Sequence, residues 1–187
     1  MRRFRRRGEI MKKTLFSLVF VLVCLVGVNT VQSASYDHEM EAKGVSFSWK
    51  VEGDTLHGKV SAKTKGWVAV GFNPSKKMKD ANYIIGYVKD GEAKVADHFG
   101  NKATGHSSDE KLGGTSDVTL VGGSEDGGVT TIEFTIPVDS GDEYDSALSV
   151  DGDTVVLLAF GPDRDSLKPR HKNKATKTVN LSTGAVK

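Results

Sequence analysis

The chain has a single cysteine and only four prolines in 187 residues. One cysteine excludes a disulfide framework, a cysteine-ligated zinc site and an iron–sulfur cluster. It also excludes covalent haem attachment, whose C-x-x-C-H motif needs two. Beyond the N-terminal segment no run of 18 apolar residues occurs, so nothing there reads as a membrane span. No 3.6-residue pattern holds for ten residues, which leaves no room for a long helix. Nucleophile elbow, P-loop, HExxH and paired-carboxylate motifs are all missing. The glycines number 21 and follow no G-X-Y period. That excludes collagen and favours a turn-rich β protein.

The N-terminus accounts for the cysteine. Met11-Lys12-Lys13 precedes the apolar run Thr14 to Val28, which contains Cys24. A basic stretch followed by an apolar core of this length has the form of a signal peptide. Val31-Gln32-Ser33 supplies a small-residue cleavage site, so residues 1–33 are expected to be removed and residues 34–187 to form the mature domain. Met11 reads as the start, with residues 1–10 an upstream extension. The leader holds seven of the 26 bases and one of the 24 acids, so the remainder carries 19 bases and 23 acids, net −4. A nucleic-acid partner therefore loses its electrostatic argument. An exported, soluble domain in the periplasm or outside the cell is expected.

Strand signals fill that domain. Val45, Phe47, Trp49 and Val51 alternate with polar residues, as in a half-buried strand. Thr55 to Ser61 returns as a hairpin partner. Gly66 to Phe72 and Asp153 to Phe160 are apolar on both faces and read as central strands. Asp90-Gly91 joins Tyr83–Val88 to Lys94–Phe99, a strong hairpin signal. Residues 100–116 read as a long polar loop. Val118–Val121, Val129–Ile136 and Thr176–Leu181 complete about nine strands. The pattern predicts an all-β fold: a single antiparallel, immunoglobulin-like β-sandwich.

Few side chains suggest chemistry. The acids are scattered through turns and read as solvated surface. Met40, near the new N-terminus, is expected outside the ordered core. Met78 lies in a polar stretch leaving an apolar strand. It either folds back as a plug or offers a soft thioether to haem iron or copper. His57 reads as an exposed strand residue, His98 as a strand end, His106 as part of the long loop. His171 follows the strand that ends at Phe160.

Three segments taken in order resemble the DOMON family, in particular its haem b-binding cytochrome domains of the cellobiose dehydrogenase type. They span roughly residues 42–183. The first is Gly66-Trp67-Val68-Ala69-Val70-Gly71-Phe72-Asn73, then Met78, then Ala81-Asn82-Tyr83-Ile84-Ile85-Gly86. The second is Ile132-Glu133-Phe134 with Ser140-Gly141-Asp142. The third is Leu158-Ala159-Phe160-Gly161, then His171 and Val179-Asn180-Leu181. The resemblance implies one non-covalent haem b with Met78 and His171 as axial ligands. Both residues follow apolar strands and are expected at one end of the sandwich. Trp67, Phe72, Tyr83, Ile85 and Phe160 are expected to wall the pocket. Such a domain passes electrons and has no catalytic residue of its own. Its partner would be a redox protein: a c-type cytochrome, a membrane cytochrome or an oxidoreductase subunit. Two other readings stand beside it. One is a carbohydrate- or small-ligand-binding sandwich without haem, as in other members. The other is a copper or enzymatic role for Met40, His38, His98 and His106, which nothing in the sequence pairs at metal spacing.

Overall fold

The computed structural model describes residues 35–187. The leader reading, with its Cys24, lies outside the described residues. Among those residues no helix is long and apolar enough to cross a membrane.

The fold is an all-β sandwich of two antiparallel sheets. The first sheet contains β1 (His38–Ala42), β2 (Val45–Glu52), β3 (Thr55–Ala62), β8 (Thr119–Asp126) and β9 (Val129–Pro137), in the order β1-β2-β3-β9-β8. The second contains β4 (Val68–Phe72), β5 (Asn82–Lys89), β6 (Glu92–Lys102), β7 (Gly105–Ser108), β10 (Asp153–Phe160) and β11 (Asn173–Asn180), in the order β11-β10-β4-β5-β6-β7. One helical turn, α1 (Asp109–Leu112), follows β7.

The period-2 pattern decides what is buried. Phe47, Trp49, Leu56, Val60, Ile132 and Phe134 point inward from the first sheet, and Val68, Val70, Phe72, Ile84, Val156 and Leu158 from the second. Phe47 stacks on Trp49 at 5.1 Å between centroids and meets Phe72 edge-on at 6.0 Å. The buried Trp49 indole N–H donates to the Leu181 carbonyl at 2.9 Å, so its one polar atom is satisfied. The Asp90-Gly91 turn has φ of +53° and +81°, the doubly positive geometry that the hairpin signal requires.

Several expectations are corrected. Met40 is buried in the core as part of β1, which pairs residue for residue with β2. Residues 100–116 are not one long loop, because β6 continues to Lys102 and turns directly into β7 and α1. Residues 122–126 continue β8, and the turn shrinks to Gly127-Gly128. His57 is half-buried beside Glu52, with Nε2 3.4 Å from the carboxylate.

Candidate functional site: the outer face of the second sheet

The central strands are apolar on both sides because both sides are covered. Val68, Val70 and Phe72 enter the core between the sheets, while Trp67, Ala69 and Gly71 face out. Across the strands Ala69 is flanked by Ala159 and Ile85, and Ile85 by Ala96. The next row is Leu157, Gly71, Tyr83 and His98. Trp67, Ala69, Ile85, Tyr87, Ala96, Ala159 and Leu167 form a second apolar cluster, separate from the core. Its centre is a floor of small residues.

A loop folds onto this floor from each end. The loop after β10 turns back over Trp67. Gly161 donates its N–H to the Trp67 carbonyl at 2.8 Å, and the Trp67 indole N–H donates to Pro169 at 3.1 Å. A Cβ at Gly161 would lie 2.3 Å from the indole, so only glycine permits the approach. Asp163 accepts from the Lys65 N–H at 3.0 Å and from the Thr64 hydroxyl at 3.2 Å. These contacts hold its carboxyl below the usual range, the Lys65 N–H acting most strongly. His171 is exposed at the end of this loop, just before Lys172 donates to Phe160 at 2.7 Å.

The loop after β4 comes from the other end. Its Ser75 N–H donates to the Lys79 carbonyl at 2.9 Å, and the Ser75 hydroxyl donates to the Asp80 carboxylate. Its Met78 carbonyl lies over Gly100, where a Cβ would come within 1.7 Å of that oxygen. The Met78 N–H donates to Ala103 at 3.3 Å. Met78 itself is half-buried.

The proposed ligands are therefore not at one end of the sandwich. β4 and β10 are antiparallel neighbours, so the loops that follow them leave opposite ends. The Met78 loop leaves the Phe72 end of β4 and the His171 loop leaves the Phe160 end of β10, and the five rungs that pair these strands span roughly 13 Å at ~3.3 Å per residue. Trp67, Tyr83 and Ile85 belong to this outer face. Phe72 and Phe160 do not. Strand alternation turns both inward, into the core between the sheets.

Two residues left unpaired by the sequence meet here. His98 of β6 and His106 of β7 approach to 2.6 Å between their Nδ1 atoms, so one imidazole donates and the other accepts. The Tyr83 ring lies 5.5 Å from His106. Burial, then His106 and Lys111, depress His98 to about 4, and burial also lowers His106, so both rings are neutral at pH 7. The signal was the hairpin: a turn at Ala103-Thr104 pairs Lys102 with Gly105 and folds His106 back beside His98.

One open cleft is lined by Val88, Asp90, Gly91, Gly123 and, from the loop after β10, Asp165, and another by Asp54, Val138 and Gly141. The outer face is closed by Leu167 and by Tyr83, whose ring covers Gly71.

Met78 and His171 would offer a thioether and an imidazole, donor types that suit haem iron. Met78 and His171 are carried by loops that leave opposite ends of this sheet, and between them lie the small residues Ala69, Gly71 and Ala159. Tyr83 and Leu167 are the side chains that would have to move.

Comparison with known proteins agrees with this architecture. Residues 41–161 match the DOMON domain family, and the chain belongs to it. Among curated proteins it is similar to DBH-like monooxygenase protein 1 of Homo sapiens, 25% identical over 135 residues, and of Mus musculus, 26% identical over 136 residues. These matches cover 71% of this chain and 21% of each relative, so the chain spans about a fifth of their length. Among solved structures it resembles the cytochrome b domain of pyranose dehydrogenase from Coprinopsis cinerea, with a TM-score of 0.59 and 15% identity over 75% of this chain and 78% of that one. It also resembles the cytochrome domain of Myriococcum thermophilum cellobiose dehydrogenase, with a TM-score of 0.55 and 11% identity over 79% and 82%. At these identities the likeness is one of fold.

Proposed function

We propose that this chain is an exported b-type cytochrome domain that holds one non-covalent haem b between Met78 and His171 and exchanges electrons with a redox protein. The observation that carries this reading is the pair of loops. They leave opposite ends of the strands that carry the small-residue floor, and one contains Met78 and the other His171. The solved structures of similar fold are themselves cytochrome domains.

Bound haem, which Met78 and His171 would hold, would supply a one-electron couple. The chain's own residues do the rest. His171 would supply the stronger donor, and Met78 the weaker one that raises the potential relative to a second nitrogen. Trp67 anchors the His171 loop. Ala69, Ala159, Ile85 and Tyr83 exclude water from the floor. Partners of the same chemistry are a c-type cytochrome, a membrane cytochrome or an oxidoreductase subunit.

The test is a haemin titration of purified protein followed by a reduced-minus-oxidised spectrum. One equivalent taken up, with a low-spin Soret band and sharp α and β bands on reduction, is expected. Protein that takes up no haem would leave a sandwich for another ligand.

A further inference from the structure

Asp97 and Asp109 are buried, against the expectation that the acids are solvated. Asp97 sits on β6 with its side chain on the face opposite His98, and Asp109 opens α1. Asp145 comes from the segment between β9 and β10. One carboxylate oxygen from each lies within 4.8 Å of the other two.

We propose that Asp97, Asp109 and Asp145 form a binding site for one hard divalent cation of the calcium type. This does not depend on the haem reading. The second observation is that the carboxylates have no other use. Asp109 has 0% exposure, and neither of its oxygens has a hydrogen-bond partner. Asp97 has 3% exposure; its Oδ2 accepts the Asp117 N–H at 3.0 Å, but Oδ1 is bare. Asp145 accepts from the Ser140 hydroxyl at 2.7 Å on one oxygen, and the other is bare. Four of the six partnerless buried side-chain atoms among the described residues therefore belong to this one cluster. No lysine, arginine or histidine pairs with any of the three among the described residues.

Burying such charge without a counter-charge is costly. Burial and the neighbouring carboxylates push Asp97 up to about 7 and Asp109 to about 8. Asp145, raised chiefly by burial, reaches about 6. The spacing suits a cation. Oxygens on opposite sides of a calcium ion with bonds of 2.3–2.6 Å stand about 4.6–5.2 Å apart. The donors are all oxygen, which selects calcium over metals that prefer nitrogen or sulfur. A cation here would join β6, α1 and the segment before β10. That segment also reaches the Met78 loop, because the Ser146 hydroxyl donates to the Asp80 carbonyl at 2.9 Å.

The experiment uses the mature chain stripped with chelator. Calcium chloride is titrated by calorimetry, and melting is followed with and without calcium. One site per chain is expected, and calcium at 100 times its Kd should raise the folded-to-unfolded ratio about 100-fold. Asp109→Asn should abolish both responses while melting no lower than stripped wild type, since it removes a buried charge. The wild-type titration decides the matter even where that variant fails to fold. The site is overturned by a wild type silent to millimolar calcium, by a full response in Asp109→Asn, or by a shift that sodium chloride of equal ionic strength reproduces.

Discussion

The indole N–H of Trp67 donates to the carbonyl of Pro169 across 102 residues of chain. Trp67 immediately precedes β4, and Pro169 stands two residues before His171, so this bond ties the His171 loop to the start of that strand. Trp67→Phe keeps the apolar ring and removes the donor. One hydrogen bond contributes about 0.5–1.5 kcal/mol to the fold, so the variant should melt a few degrees lower, and haem binding should weaken by no more than roughly tenfold. A haemin titration beside a thermal melt measures both.

The two proposed ligands are chemically unequal. His171→Ala should weaken haem retention by at least the roughly 10–100-fold that loss of even an outer partner costs. Met78→Ala should keep haem but open a position, giving high-spin iron that takes up carbon monoxide. Met78→His should stay low-spin with a lower potential. An unchanged low-spin spectrum in His171→Ala would remove His171 from the site and direct attention to His98, His106 or a nearby lysine such as Lys172.

Gly100→Ala tests the other loop. The new Cβ would press on the Met78 carbonyl, and backbone cannot swing aside as a side-chain tip can. Overpacking of this kind costs about 1–3 kcal/mol. The variant should melt several degrees lower and lose its low-spin spectrum before it loses its circular-dichroism signature.

Protein stripped of divalent cations should lose stability as pH rises from about 6.5 to 8.5. Asp97 at about 7 and Asp109 at about 8 hold protons that the unfolded chain, with carboxyls near 3.8, has already released. The native state binds more protons over this interval, so stability falls with pH and levels off above the Asp109 value. His98 acts with the opposite sign, because burial lowers it to about 4. Its unfolded value of 6.5 confines that effect to lower pH. Denaturant melts at three pH values check the slope, which Asp109→Asn should flatten.

Much of this was legible in the sequence. Alternation at Val45–Val51, the Asp90-Gly91 turn and the doubly apolar strand at Gly66–Phe72 announce the sandwich, because each is a local rule that tertiary packing here obeys. β1 was hidden because His38–Ala42 is short and mostly polar, with Met40 and Ala42 its only apolar residues. The carboxylate cluster was hidden for a different reason. Asp97, Asp109 and Asp145 come from three segments, and only the folded β6–β7 hairpin and the segment before β10 bring them together. Phe72 and Phe160 were misplaced because a strand covered on both faces gives no sequence cue to which side each residue takes.

β4 and β10 share five antiparallel rungs, from Val68 opposite Phe160 to Phe72 opposite Val156. The opening between the Met78 and His171 loops is therefore counted in whole residues, as the jaws of a caliper are set by notches on its beam. Each notch is about 3.3 Å, too coarse to tune a metal–ligand bond. Removing one residue from either strand would also swing every second side chain from the floor into the interior. Fine adjustment is left to the loops, which can vary in sequence while the beam keeps its length.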